Sequence, residues 1–209
     1  MIKIIGTNHL MSKEAIEGII KDESPDIIGV ELCKTRYDLM VLPKLNEEIV
    51  KQKAESETLL GKISQLIKKK AEEEGVEYGS DQINACLYAT KNKVKLEFLD
   101  LDISKTKELM EMIPKEEREG FIKEMMNFES KSLVESTKDI DAEQTLRDMK
   151  KKFPVAFEFL INMRNLLIIN NLLKVKMKYP NKKILVFLGK GHVKIIEDGL
   201  KWVNKKKKL

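Results

Sequence analysis

Four short runs of the chain, Ile2–Ile5, Ile27–Glu31, Lys95–Leu99 and Ile184–Leu188, are rich in β-branched and aromatic residues, and each ends at a glycine or a polar residue. Runs of this length and character predict buried strands. Between them the apolar period changes to that of a helix. Ser12 is a plausible N-cap ahead of Ile16, Ile19 and Ile20, and Ile83, Cys86, Leu87 and Thr90 keep the i, i+3, i+4, i+7 spacing. Val193, Ile196, Leu200 and Val203 follow the same spacing to within a residue, and Pro43, Pro114 and Pro154 punctuate the helical stretches. Helical crossovers between buried strands predict an α/β fold: a small, mostly parallel four-stranded sheet core flanked by many helices. Residues 1–204 read as a single domain with a helical insertion at about 104–180, an independent helical subdomain being the alternative, and residues 205–209 read as a basic disordered tail.

Charge and apolar content bound the partners. Of the formal charge of +5, Lys205, Lys206, Lys207 and Lys208 supply four, which leaves the rest of the chain near neutral. Abundant Lys and Glu fit a surface of mixed ion pairs of the kind found in thermophiles. A solvated tail without interleaved aromatic residues points to no nucleic-acid partner. The most apolar long segment, from Phe159 to Val175, is broken by Asn162, Arg164, Asn165, Asn170 and Asn171, so it is a poor match to the roughly 20 apolar residues of a spanning helix. Two cysteines, Cys33 and Cys86, are too few for a disulfide scaffold, and no secretory signal precedes the first strand. A cytoplasmic protein with no membrane partner is the expectation. The mixed-charge segment Lys44–Glu74 offers either a homodimer contact or a helix lying on the sheet.

Parallel strands place all their C-terminal ends on one edge, where ligands bind in open α/β sheets. Polar residues collect at those ends. His9 follows the first strand, Glu31 ends the second, Asp100 and Asp102 follow the third, and His192 follows the fourth. These are the only two histidines in the chain, and each stands three residues after a glycine, Gly6 or Gly189, with Gly191 directly before His192. Two imidazoles with one or more carboxylates form a donor set for a catalytic divalent metal, with Zn, Mn or Co all compatible. Such a metal supplies a water nucleophile near neutral pH. The glycines are expected to let the backbone turn off the strand ends, and the amides of Gly6, Gly189 and Gly191 offer donors to an anionic or carbonyl group of a substrate. Asp100 and Asp102 fit equally as caps of the helix near Ser104. Arg36 lies one turn past Glu31, and Arg164 interrupts the most apolar helix; a structural ion pair and a clamp on an anionic intermediate both account for Arg164. Cys33 and Cys86 read as small buried residues.

Three blocks of the chain resemble the TraB (PrgY-like) family, related more distantly to the TIKI, EreA and ChaN-like proteins. The first is "IIGTNHLMSKEAIEGIIKDESPDIIGVELCKTRYDLM", with its Gly-Thr-x-His and Val-Glu-Leu. The second, "GVEYGSDQINACLYATKNKVKLEFLDLDI", carries Asp81 and an Asp-x-Asp-Ile strand end, and the third is "FLGKGHVKIIEDGL". The resemblance implies an EreA/ChaN-like fold and a metal-dependent peptidase or amidase built on two Gly-x-x-His motifs. It implies His9 and His192 as metal ligands or catalytic groups with Glu31 as their carboxylate partner, and Arg36 and Arg164 as groups that bind substrate or intermediate. In the hydrolase expected on this basis His9, His192 and Glu31 hold the metal, Asp81 or Asp100 assists as ligand or base, and Asn165 joins Arg164 in stabilising the oxyanion. The family's long helix usually reads Glu-Arg-Asp/Asn, whereas this chain has Met163-Arg164-Asn165, and the membrane-spanning tail of many members is missing. A non-catalytic protein that sequesters a peptide or small anion in the same cleft is the rival expectation.

Overall fold

The computed structural model describes residues 1–7, 11–45, 68, 69, 72, 75, 77, 79–127 and 142–206. His9 and most of the segment Lys44–Glu74 lie outside the described residues. The fold is α/β. Strands β1 (Ile2–Thr7), β2 (Ile27–Val30), β3 (Lys95–Phe98) and β4 (Ile184–Gly189) form one four-stranded sheet in the order β1-β4-β2-β3, and every pairing is parallel. The last strand of the chain is therefore inserted between the first two. Its register puts Gly189 beside Thr7 at one flank and Phe187 beside Val30 at the other.

The chain separates into two compact units. The first, residues 1–48, 79–102 and 164–209, contains the sheet. One face of the sheet presents Ile28, Val30, Leu185 and Phe187 to helices α1 (Lys13–Glu23), α2 (Lys34–Met40), the short α3 (Leu42–Leu45) and α4 (Ser80–Lys91), through Ile16, Ile20, Tyr37, Ile83 and Cys86 among others. The alternate residues of the same strands, Ile27, Ile184, Val186 and Leu188, face the opposite way. Central strands buried on both sides have no polar-out positions, which is why β4 is apolar throughout and buried at all six residues.

The second unit, residues 49–78 and 103–163, contains α5 (Ile103–Glu111), α6 (Lys115–Asn127), α7 (Ala142–Lys152) and α8 (Pro154–Phe157), followed by one π-helical turn over Glu158–Met163. Pro154 opens α8 at a position whose N–H has no intrahelical partner to lose. Met110, Ile113 and Ala156 are buried here with Ile122, Met149 and Phe153 packed against them, and the Ala156 amide donates to Glu117 Oε1 at 2.7 Å.

The helical insertion is expected to run to about residue 180, but the second unit ends at Met163. Helix α9 (Arg164–Lys178) belongs to the sheet: Ile168, Leu172 and Val175, spaced to one side of it, join Ile27, Leu99 and Ile184 in the core. Helix α10 (Lys190–Lys206) covers the same face through Val193, Ile196 and Leu200. It carries Lys205 and Lys206 in helical conformation, two residues into the stretch read as a tail.

Two close approaches set the positions of these helices. At Gly6 an added Cβ would stand 3.0 Å from Val193 Cγ2 and 3.5 Å from Lys190 Cγ, so the glycine lets the first turn of α10 lie directly on β1. At Gly199 an added Cβ would be 2.5 Å from Ile169 Cδ1, where α10 meets α9. The sharp glycine turn expected after β4 is absent: β4 runs from Gly189 into α10 at Lys190 with no intervening loop, and among the described residues the glycines with positive φ are Gly75 and Gly79.

Candidate functional site

The C-terminal edge of the sheet is held by one carboxylate. Glu31 follows Val30 at the end of β2, and only 7% of it is exposed. Its Oε2 accepts the Gly189 amide at 2.8 Å, which ties the end of β2 to the end of β4. Its Oε1 accepts from the Arg164 guanidinium at 2.8 Å and stands 3.3 Å from Nε2 of His192. The Glu31 backbone N–H donates to Gln82 Oε1 at 2.9 Å.

Asp100 lies one residue past Leu99, where the backbone still pairs with the β2 side: Leu99 N donates to Val30 O at 3.0 Å and Asp100 N to Leu32 O at 3.3 Å. That pairing aims the Asp100 carboxylate at Arg164, the first residue of α9. Arg164 Nε donates to Oδ1 at 3.0 Å and the terminal nitrogen to Oδ2 at 2.8 Å, a bidentate fork. Burial alone would weaken the hold of Arg164 on its proton, but the charges of Asp100 and then Glu31 outweigh it and push its pKa above the ordinary arginine value. Of the two readings of Arg164, the ion pair is the one observed, and it lies among the predicted site residues. Arg36 sits at the margin, its guanidinium 3.5 Å from Asp100 Oδ2 with the side chain 36% exposed. Asp102 is exposed and accepts from the Thr35 hydroxyl at 3.0 Å. Asp100 spends Oδ1 also on the Leu101 amide at 2.8 Å.

Asn165 and His192 complete the group from the first turns of α9 and α10. Asn165 is 1% exposed and His192 8%. Asn165 Oδ1 lies 2.7 Å from His192 Nδ1. The Asn165 amide nitrogen is buried and has no hydrogen-bond partner among the described residues. Met163, where the resemblance leads one to expect an acidic residue, is 40% exposed, and the carboxylates that hold Arg164 come instead from the ends of β2 and β3.

Asp81 connects to this group through Gln82. It is fully buried at the start of α4, accepts from the Thr7 hydroxyl at the end of β1, and accepts from Gln82 Nε2 at 2.9 Å. Gln82 also approaches Phe187 O with Nε2 at 3.4 Å. One buried glutamine therefore links Asp81, the backbone of Glu31 and strand β4. Sequence reasoning missed Gln82 and Thr7; the signal available for Gln82 was a polar residue next to Ile83 at the start of an amphipathic helix. The charge of Asp81 adds to burial in pushing the Cys86 thiol up to about 12, so both effects keep that cysteine protonated and inert. Cys33 is likewise buried and free.

Six of the predicted residues, Glu31, Asp100, Arg164, Asn165, His192 and Gly189, are joined directly, Arg36 touches the edge, and Asp81 joins through Gln82. Gly6 serves the packing of α10, and Gly191 lies in its first turn. Among the described residues no group of three or more His, Cys, Asp or Glu side chains is arranged to hold a metal ion. The described pair of suitable donors is His192 and Glu31. No family model matches the chain, and no curated protein matches it. No helix among the described residues is long and apolar enough to cross a membrane.

Proposed function

We propose that the chain is a metal-dependent hydrolase acting on peptide or amide bonds at the C-terminal edge of its sheet. One observation carries this reading. Asn165 Oδ1 can only accept, so at 2.7 Å it fixes a proton of His192 on Nδ1 and turns Nε2 towards Glu31 Oε1, 3.3 Å away. The Arg164 guanidinium already donates to that oxygen, and the approach of Nε2 to it is accounted for by a proton on Nε2 or by a metal cation bound to both atoms; we adopt the metal. Two donors each about 2.0–2.2 Å from one divalent ion stand at about this separation, and a ligating imidazole whose other nitrogen is fixed by a hydrogen bond is a usual arrangement.

In this reading His192, Glu31 and His9 would hold Zn, Mn or Co, His9 being the donor that lies outside the described residues. When bound, the ion would supply a water nucleophile at neutral pH and polarise the scissile carbonyl. The protein's own groups do the rest. Arg164 fixes the orientation of Glu31, and Asp100 keeps Arg164 in place, which commits Asp100 as a counter-ion and leaves it unsuited to act as the base. The Asn165 amide N–H is a buried donor available to an oxyanion as charge develops there. Arg36, at the half-open margin, offers a positive charge to a carboxylate of the substrate.

The rival reading, a protein that captures a peptide or small anion without cleaving it, draws support from the full engagement of Arg164 by two carboxylates. Turnover separates the two. Incubation of the Zn-, Mn- or Co-supplemented protein with a mixed peptide library should release new amino termini, and His192→Ala should abolish that release. Retention of peptide without cleavage, lost in His192→Ala, selects the binder.

A further inference from the structure

The charge of this chain is unevenly placed. Residues 164–209 contain thirteen lysines and arginines against two acids, Glu197 and Asp198, a net +11; residues 1–163 are left with −6 of the total of +5. The surplus therefore belongs to a folded layer and extends well beyond the final lysine run. Helices α9 and α10 lie side by side on one face of the sheet, meeting at Ile169 and Gly199, and both begin at the edge that holds Asn165 and His192.

Because Ile168, Leu172 and Val175 face the sheet, the outer side of α9 presents Lys174, Met177 and Lys178, with Leu166 a few turns earlier. The outer side of α10 presents Lys201, Trp202 and Lys205. Leu166, Met177 and Trp202 are 66%, 65% and 62% exposed. Lys206 Nζ lies 5.9 Å from the Trp202 ring centre. Helix α9 has no acidic residue, and the two acids of α10 are the partners of Lys194 and Lys201.

We propose that the outer face of α9 and α10 docks on the surface of an anionic lipid bilayer. Lysines near such a surface are drawn to it by its negative potential, each contributing on the order of a few-fold in affinity. Phosphate attraction alone would suit a nucleic acid equally well; the exposed apolar side chains decide between them. Leu166 and Met177 gain nothing against a phosphodiester backbone, whereas the boundary between headgroups and acyl chains takes up such side chains, with tryptophan at the headgroup level. The one arginine of the stretch, Arg164, is engaged by Glu31 and Asp100 in the site and is not free to read base edges. This is docking without crossing, compatible with the absence of a spanning helix among the described residues. It goes beyond the expectation of no membrane partner, which rested on the interrupted apolar segment from Phe159 to Val175 and on the lack of aromatic residues among the terminal lysines.

Trp202 is the only tryptophan in the chain, so its emission reports on this face alone. The full chain is mixed with vesicles of phosphatidylglycerol and phosphatidylcholine, or of phosphatidylcholine alone. The proposal predicts a blue shift and co-sedimentation with the anionic vesicles only, reversed by high salt. The exposed substitutions Lys174→Glu, Lys178→Glu and Lys201→Glu together should weaken binding at least about tenfold with the far-UV spectrum unchanged. Lys13→Glu, on α1 across the sheet, should leave it unaltered. Deleting residues 207–209 should preserve the shift. Equal binding to both vesicle types, no shift, undiminished binding by the triple variant, loss of all binding with residues 207–209, or preferential binding of Trp202 to an oligonucleotide would each overturn it.

Discussion

Replacing Arg164 by methionine should expose what holds the candidate site together. The side chain of Glu31 is 6% exposed and that of Asp100 3%, and Arg164 gives one charge-assisted hydrogen bond to the first and two to the second. Methionine keeps much of the volume but removes the counter-charge, leaving two carboxylates in a site with little water. Breaking a buried pair from one side costs about 3–5 kcal/mol. The loss should also carry a signature in pH. Without Arg164, burial and mutual repulsion raise the pKa of at least one carboxylate above its unfolded value. A group raised in this way is fully compatible with folding below its unfolded pKa and costs stability as pH rises through it. The difference between wild type and Arg164→Met, read from urea unfolding, should therefore be largest at pH 7 and shrink towards pH 5. Adding Asp100→Asn to Arg164→Met should recover part of the loss at pH 7. A loss below about 1 kcal/mol, or one that is flat between pH 5 and pH 7, would refute the view that Arg164 is the charge at the centre of this network.

Three further outcomes follow from particular contacts. Gly29 lies in β2, where an added Cβ would stand 2.9 Å from Leu99 Cδ1 and 3.4 Å from Val186 Cγ2. Gly29→Ala should cost about 1–3 kcal/mol by thermal or urea unfolding, and Leu99→Val should return part of it. Gln82→Leu removes the partner of the Glu31 amide and of Asp81, and should destabilise by about 1–3 kcal/mol while broadening the His192 ring resonances in NMR spectra. The Cys86 thiol is raised by burial and by Asp81 from 9.0 to about 12, so its contribution to stability is intact below pH 9 and drains away between pH 9 and pH 12. Wild type should lose about 1.4 kcal/mol per pH unit relative to Cys86→Ala across that window, measured by denaturant unfolding.

The centre of the sheet is legible in the sequence because both faces of β2 and β4 are covered. The central runs β2 and β4 show no alternation, and for β4 the expected Ile184–Leu188 and the observed Ile184–Gly189 differ by one residue; β3 alternates Lys95-Leu96-Glu97-Phe98 and is marked by its apolar positions and by Asp100 after it. The gathering of Glu31, Asp100 and His192 followed from parallel topology alone. What was not legible depended on distances between elements. Gly6 and Gly189 were read as turn formers, yet Gly6 is there because α10 lies on β1, and the Gly189 amide is there for Glu31. Nothing local marks either role. The boundary at Arg164 has no distinctive mark in the sequence, because polar residues interrupt the apolar stretch on both sides of it, at Asn162 and again at Asn170 and Asn171, while the change from π-helical turn to sheet-packed helix depends on what that face meets. The charge was misplaced for a related reason. Four adjacent lysines are conspicuous, whereas a lysine every few residues along two helices shows as a surface only after they are laid side by side.

The central proposal is that His192 and Glu31, with His9, hold a catalytic metal. Metal analysis of the purified chain, beside His9→Ala, His192→Ala and Glu31→Gln, tests it most directly. One Zn, Mn or Co per chain in the wild type, taken up again after chelation and lost in each variant, is the predicted result. A wild type that neither retains nor takes up any of the three ions would contradict the account, and would leave the close approach of His192 and Glu31 as a protonated ion pair.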